Sequence, residues 1–299
     1  MLERLARRTV LEMEPYAWEI STAEVAARHG LRPADVLRFD LNTSPYPPAS
    51  WDAAMEAARA ERAPNEYFDT SYAELARLIG PYCGVPPERL VIGAGADEIL
   101  DIVAKTFLDN GDRVVISAPT YSMYAIVAAQ LGATIRACPL GPDFAQPIDD
   151  LLAAAREEGA KIIFHCNPNS PTGNATPSDD LERLVAEAPC IVVVDEAYAE
   201  FHGWSAIPLI ARYPNLIVVR TMSKAFGMAG MRLGWAVADP AAVALLNRVR
   251  PPNSVSVVTA RVGAAALRDP GAMRAHVAAI LAERQPFAAG LREAGAHVY

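Results

Sequence analysis

Between about residues 89 and 238 the chain alternates short, mainly apolar runs with longer stretches whose apolar residues recur every three or four positions. The short runs are "RLVIG" (89–93), "RVVIS" (113–117), "ATIRAC" (133–138), "KIIFH" (161–165), "CIVVVD" (190–195), "NLIVVR" (215–220) and "RLGWAVA" (232–238). They are rich in β-branched residues and lack the alternation of a half-exposed strand, so they predict strands covered on both faces. Between them, stretches such as "ADEILDIVAKTFLD" and "DDLERLVAEA" carry a helical period. The pattern predicts an α/β fold with a doubly wound, mostly parallel sheet. Residues 1–40 and 240–299 differ, being alanine-rich and helical with few strand candidates. They are expected to pack as a smaller α+β lobe built from both chain ends. A helix is expected to end at Gly295, and "AHVY" (296–299) reads as a strand that stops almost at once. The C-terminal part of the lobe is therefore expected to be incomplete, the sequence being shorter than the domain to which it belongs.

Composition narrows the chemistry. At 299 residues and 52% hydrophobic, the chain can bury a large core. Its 27 Lys and Arg against 35 Asp and Glu, a net charge of −8, leave no nucleic-acid footprint. No run approaches the roughly 20 apolar residues that span a bilayer. "MLERLARRTVLEMEPY" places acidic residues where a secretory signal has its apolar core. Cys83, Cys138, Cys166 and Cys190 form no C-x-x-C pair and read as reduced packing residues of a cytoplasmic protein, with no metal site expected. Small-molecule chemistry is what remains.

In an open α/β sheet, ligands sit outside the carboxyl ends of the strands. After "RLVIG" comes "AGADE", a helix start at about Ala96 where the N–H groups of Gly95, Ala96 and Asp97 suit one phosphate monoester. A dinucleotide is disfavoured, because the third glycine of the fingerprint is missing. A capped helix start with no ligand is the plainer reading. Asp195 ends "CIVVVD", with Tyr198 three residues on. A carboxylate there is desolvated and needs a partner: a magnesium ion, a protonated ring nitrogen, or the helix it caps. "NPNSPTGN" (167–174) demands a fixed loop, with cis bonds expected before Pro168 or Pro171 and side-chain amides available as donors. In "APTYSMY", Tyr121 or Tyr124 can stack on a flat ligand or simply pack in the core. Lastly, "TMSKAFGMAGMRLGW" (221–235) places a single lysine, Lys224, among small neighbours, with Arg232 eight positions later. Thr221 and Ser223 can donate to phosphate oxygens, and arginine binds them bidentately. A phosphate, a ring nitrogen wanting an acid, a flat ring and an amine nucleophile together describe pyridoxal 5′-phosphate (PLP) held as a lysine Schiff base.

These motifs, with "LNTSPYPP" (41–48) and "VVVDEAYAEF" (192–201), resemble those of the fold-type I PLP enzymes of the class I and II aminotransferases, most closely the histidinol-phosphate aminotransferase branch. The resemblance implies that Lys224 carries the cofactor and shuttles the substrate proton, and that Asp195 keeps the pyridine nitrogen protonated. It implies that Tyr198 bonds the ring hydroxyl and Tyr121 stacks on the ring. Gly95, Ala96, Asp97, Thr221, Ser223 and Arg232 would cradle the phosphate. Tyr67 matches a tyrosine that reaches the neighbouring subunit's phosphate, implying a homodimer with shared sites, and Asn42 matches a substrate-side residue. The asparagine usual before Pro-Thr-Gly is replaced by Ser170, so that either Ser170 or Asn169 supplies the contact to the ring hydroxyl. The domains implied are an arm with part of the small lobe (1–40), a PLP-binding large domain (41–245) and the start of a C-terminal small domain (246–299).

The activity this implies is exchange of an amino group between a glutamate-like donor and a 2-oxo acid or imidazole-acetol phosphate. Two alternatives share the cofactor motifs: a decarboxylase of a phosphorylated amino acid, and a truncated PLP-binding dimer without efficient turnover. No residue matches the family's arginine for the substrate carboxylate.

Overall fold

The computed structural model describes residues 2–13, 20–61, 67 and 69–299. All seven apolar runs form strands: β1 (Leu90–Gly93), β2 (Arg113–Ala118), β3 (Thr134–Pro139), β4 (Ile162–Cys166), β5 (Ile191–Asp195), β6 (Leu216–Thr221) and β7 (Gly234–Ala238). They make one sheet in the order β1-β7-β6-β5-β4-β2-β3. Neighbours from β3 to β6 pair in parallel, whereas β7 runs antiparallel to both β6 and β1. The reversal follows from the connection. Residues 222–233 hold only a single 3-10 turn (Ala229–Met231), so the chain makes no helical crossover and re-enters beside the strand it left. That keeps Lys224 and Arg232 at the same end of the sheet as the carboxyl end of β6.

The helices are α1 (Arg8–Glu12), α2 (Thr22–His29), α3 (Trp51–Glu61), α4 (Ala73–Cys83), α5 (Gly95–Phe107), α6 (Met123–Leu131), α7 (Ile148–Glu158), α8 (Ser178–Glu187), α9 (Ala199–His202), α10 (Pro240–Val249), α11 (Val257–Arg268) and α12 (Gly271–Glu293). Successive residues of a strand point to opposite faces, and both faces are apolar. Val115, Ile163, Val192, Val194 and Val218 pack against α4, α7, α8 and α11. Val114, Ile162, Phe164, Val193 and Val219 pack against α5, α6 and α10. Most of these valines and isoleucines have no exposed surface, which is why the runs are apolar throughout.

At the chain ends, α1 sets Thr9 close to Gly132 at the end of α6, and α12 lies against α9. Among the described residues these end segments contribute helices and no strand. The strand expected at Ala296–Tyr299 does not form, and those residues are irregular. A four-residue run with no neighbouring strand has no ladder to join, and the Ala296 N–H and Val298 carbonyl instead bond back to α12 at Leu291 and Arg292.

Candidate active site

Outside the carboxyl ends of β2, β4, β5 and β6 lies a cleft of about 330 Å³. Its lining includes Asn42, Ala96, Asp97, Tyr121, Ser170, Asp195, Tyr198, Thr221, Ser223, Lys224 and Arg232. Eleven residues singled out in the sequence, scattered over nearly two hundred positions, thus share one wall. The sheet topology brings them together.

One end of the cleft is an anion cradle. α5 begins at Gly95, whose φ of +87° suits glycine and few other residues. A Cβ added at Gly95 would lie 2.7 Å from Arg232 Nη2. One at Gly234 would lie 2.5 Å from the Gly95 carbonyl carbon and 2.7 Å from the Ala96 nitrogen. The two glycines let the N-terminus of α5 press onto β7 beside the guanidinium. The first N–H groups of a helix have no acceptor within it, so those of Gly95, Ala96 and Asp97 are available to an anion. Ser223 Oγ lies 2.9 Å from Thr221 Oγ1 and accepts from Arg232 Nη1 at 3.4 Å. Arg232 Nη2 donates to Asp97 Oδ2 at 2.8 Å, and Tyr121 OH donates to Asp97 Oδ1 at 2.8 Å. The Asp97 carboxylate therefore holds the arginine and the tyrosine in place at the cradle's edge.

The floor is Asp195, 3% exposed. Its Oδ2 accepts from Tyr124 OH at 2.9 Å and its Oδ1 from the Ala197 N–H at 3.0 Å. Burial pushes its carboxyl up to about 6, while these two donors and Lys224 pull the other way and Asp97 adds to the rise. Such a carboxylate is poised to take a cationic partner. Beside it the Cys166 thiol, pushed up to about 12 by burial, is inert.

Lys224 stands at the mouth, its Nζ 5.4 Å from the centre of the Tyr198 ring. The loop carrying it is pinned: Met222 N–H donates to Leu233 O, Met228 N–H to Met222 O and Gly227 N–H to Lys224 O. Gly227, at φ +65°, is pressed against the Tyr46 carbonyl, leaving no room for a Cβ. Asn42 Nδ2 donates to Tyr198 OH at 3.3 Å.

The loop after β4 divides its two candidates. Asn169 is buried and fully engaged: Nδ2 donates to Pro119 O and Thr172 Oγ1, and Oδ1 accepts from Thr120 Oγ1. Asn169 thus builds the loop, and Ser170 faces the cleft. The bonds before Pro168 and Pro171 are cis, as is the bond before Pro119. Tyr67 lies apart from the cleft, its ring 85% exposed.

Sequence reasoning missed two features. One is the partnership of Tyr124 with Asp195. The other is a buried ion cluster behind the cleft, in which Arg220 Nη1 donates to Glu196 at 2.9 Å and Nη2 to Glu200 at 2.6 Å. Ser205 and the Ala206 N–H complete the shell of Glu196, and Tyr82 OH donates to Glu200. Arg220 immediately precedes Thr221 and Glu196 immediately follows Asp195, so the cluster ties together the two strand ends that matter most. An arginine closing a run as apolar as "NLIVVR" was the available signal.

Convergent donors at one end, a buried carboxylate on the floor and a lysine at the mouth fit PLP, whose phosphate, ring nitrogen and aldehyde they match in kind. The profile of the family described as aminotransferase class I and II matches residues 34–299. A histidinol-phosphate aminotransferase of Roseiflexus castenholzii is 37% identical over 299 residues, covering 99% of this chain and 80% of that protein. One from Desulfitobacterium hafniense is 38% identical over 240 residues, covering 78% of this chain and 66% of the relative. Among solved structures, the Sinorhizobium meliloti histidinol-phosphate aminotransferase in complex with pyridoxal-5′-phosphate has a TM-score of 0.88 and 25% identity, covering 96% of this chain and 77% of that one.

Proposed function

The chain belongs to the aminotransferase class I and II family, whose cofactor is PLP, and we propose that it moves an amino group between a glutamate-like donor and a 2-oxo acid or imidazole-acetol phosphate. The observation that carries this reading is the convergence of Lys224, Asp195 and the Arg232 cradle on one cleft. The naming of the relatives supports the imidazole-acetol phosphate branch.

In this reading Thr221, Ser223, Arg232 and the N-terminus of α5 hold the phosphate. Asp195 would hold the ring nitrogen and keep a proton on it, and Tyr121 would stack on the ring. When bound, PLP supplies an electron-poor ring that accepts the electron pair released at the substrate Cα. Lys224 Nζ would carry the cofactor and, once freed, would serve as the base that takes the proton from the substrate Cα. Tyr198 OH, held by Asn42, serves the ring hydroxyl with Ser170 beside it.

The site is shared in a homodimer. Leu37, Phe39 and Tyr67 are each 79–85% exposed, and Leu31 and Trp51 are exposed as well. Exposed large apolar side chains of this kind suit a covering partner, and a second copy would bring Tyr67 to its neighbour's cradle. We place the protein in the cytoplasm, which suits its four free thiols. Among the described residues no helix is long and apolar enough to cross a membrane.

The test is a half-reaction. PLP-loaded protein mixed with glutamate, and separately with histidinol phosphate, should release one oxo product per site and leave the cofactor aminated. Absence of product with every amino donor tried would overturn the aminotransferase reading for this chain.

A further inference from the structure

We propose that Tyr124 is the positioning residue for Asp195, its buried hydroxyl fixing the carboxylate that faces the cofactor. The inference rests on the reading of Asp195 given above and adds a residue that this reading does not contain.

Tyr124 sits in the first turn of α6 and has no exposed surface. Its ring is stacked on Phe164 with centroids 5.3 Å apart and planes 7° apart, and meets Tyr121 edge-on at 5.7 Å and 82°. Held this way, its hydroxyl reaches Asp195 Oδ2 at 2.9 Å. The Ala197 N–H holds Oδ1 at 3.0 Å. Each carboxylate oxygen can accept twice, so one donor apiece fixes the plane of the carboxylate and leaves capacity for a ligand. The same ring buttresses Tyr121, so one side chain sets both the floor and one wall of the cleft.

The phenol is also the right kind of donor. Burial, reinforced by the neighbouring carboxylate, raises its ionisation well above the ordinary range, so it keeps its proton wherever the enzyme works. A bond from a neutral donor to an ionised acceptor is charge-assisted and favours the ionised acid. The other charged or titratable groups facing Asp195 are Cys166 on β4, Asp97 on α5 with its partner Arg232, Lys224 after β6, and Tyr198. Of these, Lys224 favours the ionised form and Asp97 opposes it. Tyr124 is thus the neutral side chain that keeps Asp195 an anion.

The experiment compares wild type, Tyr124→Phe and Asp195→Asn, each with and without PLP. Phenylalanine keeps the ring contacts and removes one oxygen. In Tyr124→Phe we expect kcat to fall about tenfold, the effect of one hydrogen bond to a charged group. PLP should bind more weakly and KM for the amino donor should change little. In the cofactor-free proteins, the gap in thermal midpoint between wild type and Tyr124→Phe should be small near pH 4 and widen as the pH passes about 6, because only the ionised carboxylate makes the stronger bond. A gap of equal size at every pH, together with wild-type kcat and PLP affinity, would reduce Tyr124 to packing and overturn the inference. If Asp195→Asn itself bound PLP and turned over normally, the reading of Asp195 would fall, and this inference with it. If Asp195→Asn is inactive while Tyr124→Phe behaves as wild type, this inference alone fails.

Discussion

At the scale of single residues, Asp195 makes the sharpest statement about pH. Its carboxyl is raised by burial to about 6, above the ~3.9 of an unfolded aspartate. The folded, cofactor-free protein therefore holds this proton more tightly than the unfolded chain. Ionising the group costs stability, a cost absent below about pH 4 and complete above about pH 6. Asparagine does not ionise. Cofactor-free Asp195→Asn should match wild type near pH 4 and exceed it by an amount on the order of 3 kcal/mol at pH 7.5, while losing transamination. Comparing the two proteins at each pH cancels the opposing contribution of His165, whose buried imidazole is lowered to about 4. Denaturant melts at several pH values check this, and an asparagine variant less stable than wild type at pH 7.5 would contradict it. Asp195 and Lys224 were legible in the sequence because each ends or follows an apolar run, where a charge is conspicuous. Tyr124 was not. A tyrosine one helical turn after Tyr121 packs in the core or serves a site with equal ease, and only the fold decides which carboxylate it meets. Between Asn169 and Ser170 the sequence was similarly silent, since hydrogen bonds to Pro119, Thr120 and Thr172 decide which one turns inward.

At the scale of elements, the ends of β5 and β6 are locked by Arg220 with Glu196 and Glu200, whose side chains are all under 10% exposed. Removing one partner strands the others without solvent. Arg220→Met should cost about 3–5 kcal/mol, and converting Glu196 and Glu200 to glutamine in the same chain should recover most of it. Urea titration measures both, and a mild loss in the single variant would mean the cluster is hydrated. Where β7 meets α5 the constraint is steric. An alanine at Gly234 puts its Cβ against backbone atoms of Gly95 and Ala96, so the helix N-terminus must shift. Gly234→Ala should cost about 1–3 kcal/mol and weaken PLP about tenfold or more, as read by absorbance titration. Unchanged affinity would place the phosphate elsewhere. β3, at the sheet edge, is interrupted by Arg136 and largely exposed, and was legible only from Ile135, Ala137 and Cys138. The six other strands could be read from their apolar runs, because a sheet covered on both faces leaves that signature. The reversal of β7 could not, because an apolar run carries no direction. It rests on the connection at 222–233, which is sequence the strand itself does not contain.

For the whole molecule, the shared site proposed above needs two copies. Light scattering should give a mass twice the 32.1 kDa of the chain, and a monomer at micromolar concentration would contradict the shared site. If Tyr67 serves its neighbour, Lys224→Ala and Tyr67→Ala, each impaired alone, should regain activity when mixed. One of the two sites in a mixed dimer then holds both native residues, and no recovery on mixing would confine Tyr67 to its own subunit. The sequence suggested this arrangement only through a resemblance. The exposed Leu37, Phe39 and Tyr67 follow no periodicity that would mark an interface.

Everything above turns on Lys224 carrying the cofactor, and a chemical experiment settles it. Protein loaded with PLP is reduced with borohydride, digested and mapped by mass spectrometry. A phosphopyridoxyl group should appear on Lys224 in the peptide containing "TMSKAFGMAGMR", stoichiometric in wild type and absent in Lys224→Ala, whose turnover should fall by about a thousandfold or more. Label on Lys105 or Lys161 with Lys224 unmodified would contradict it.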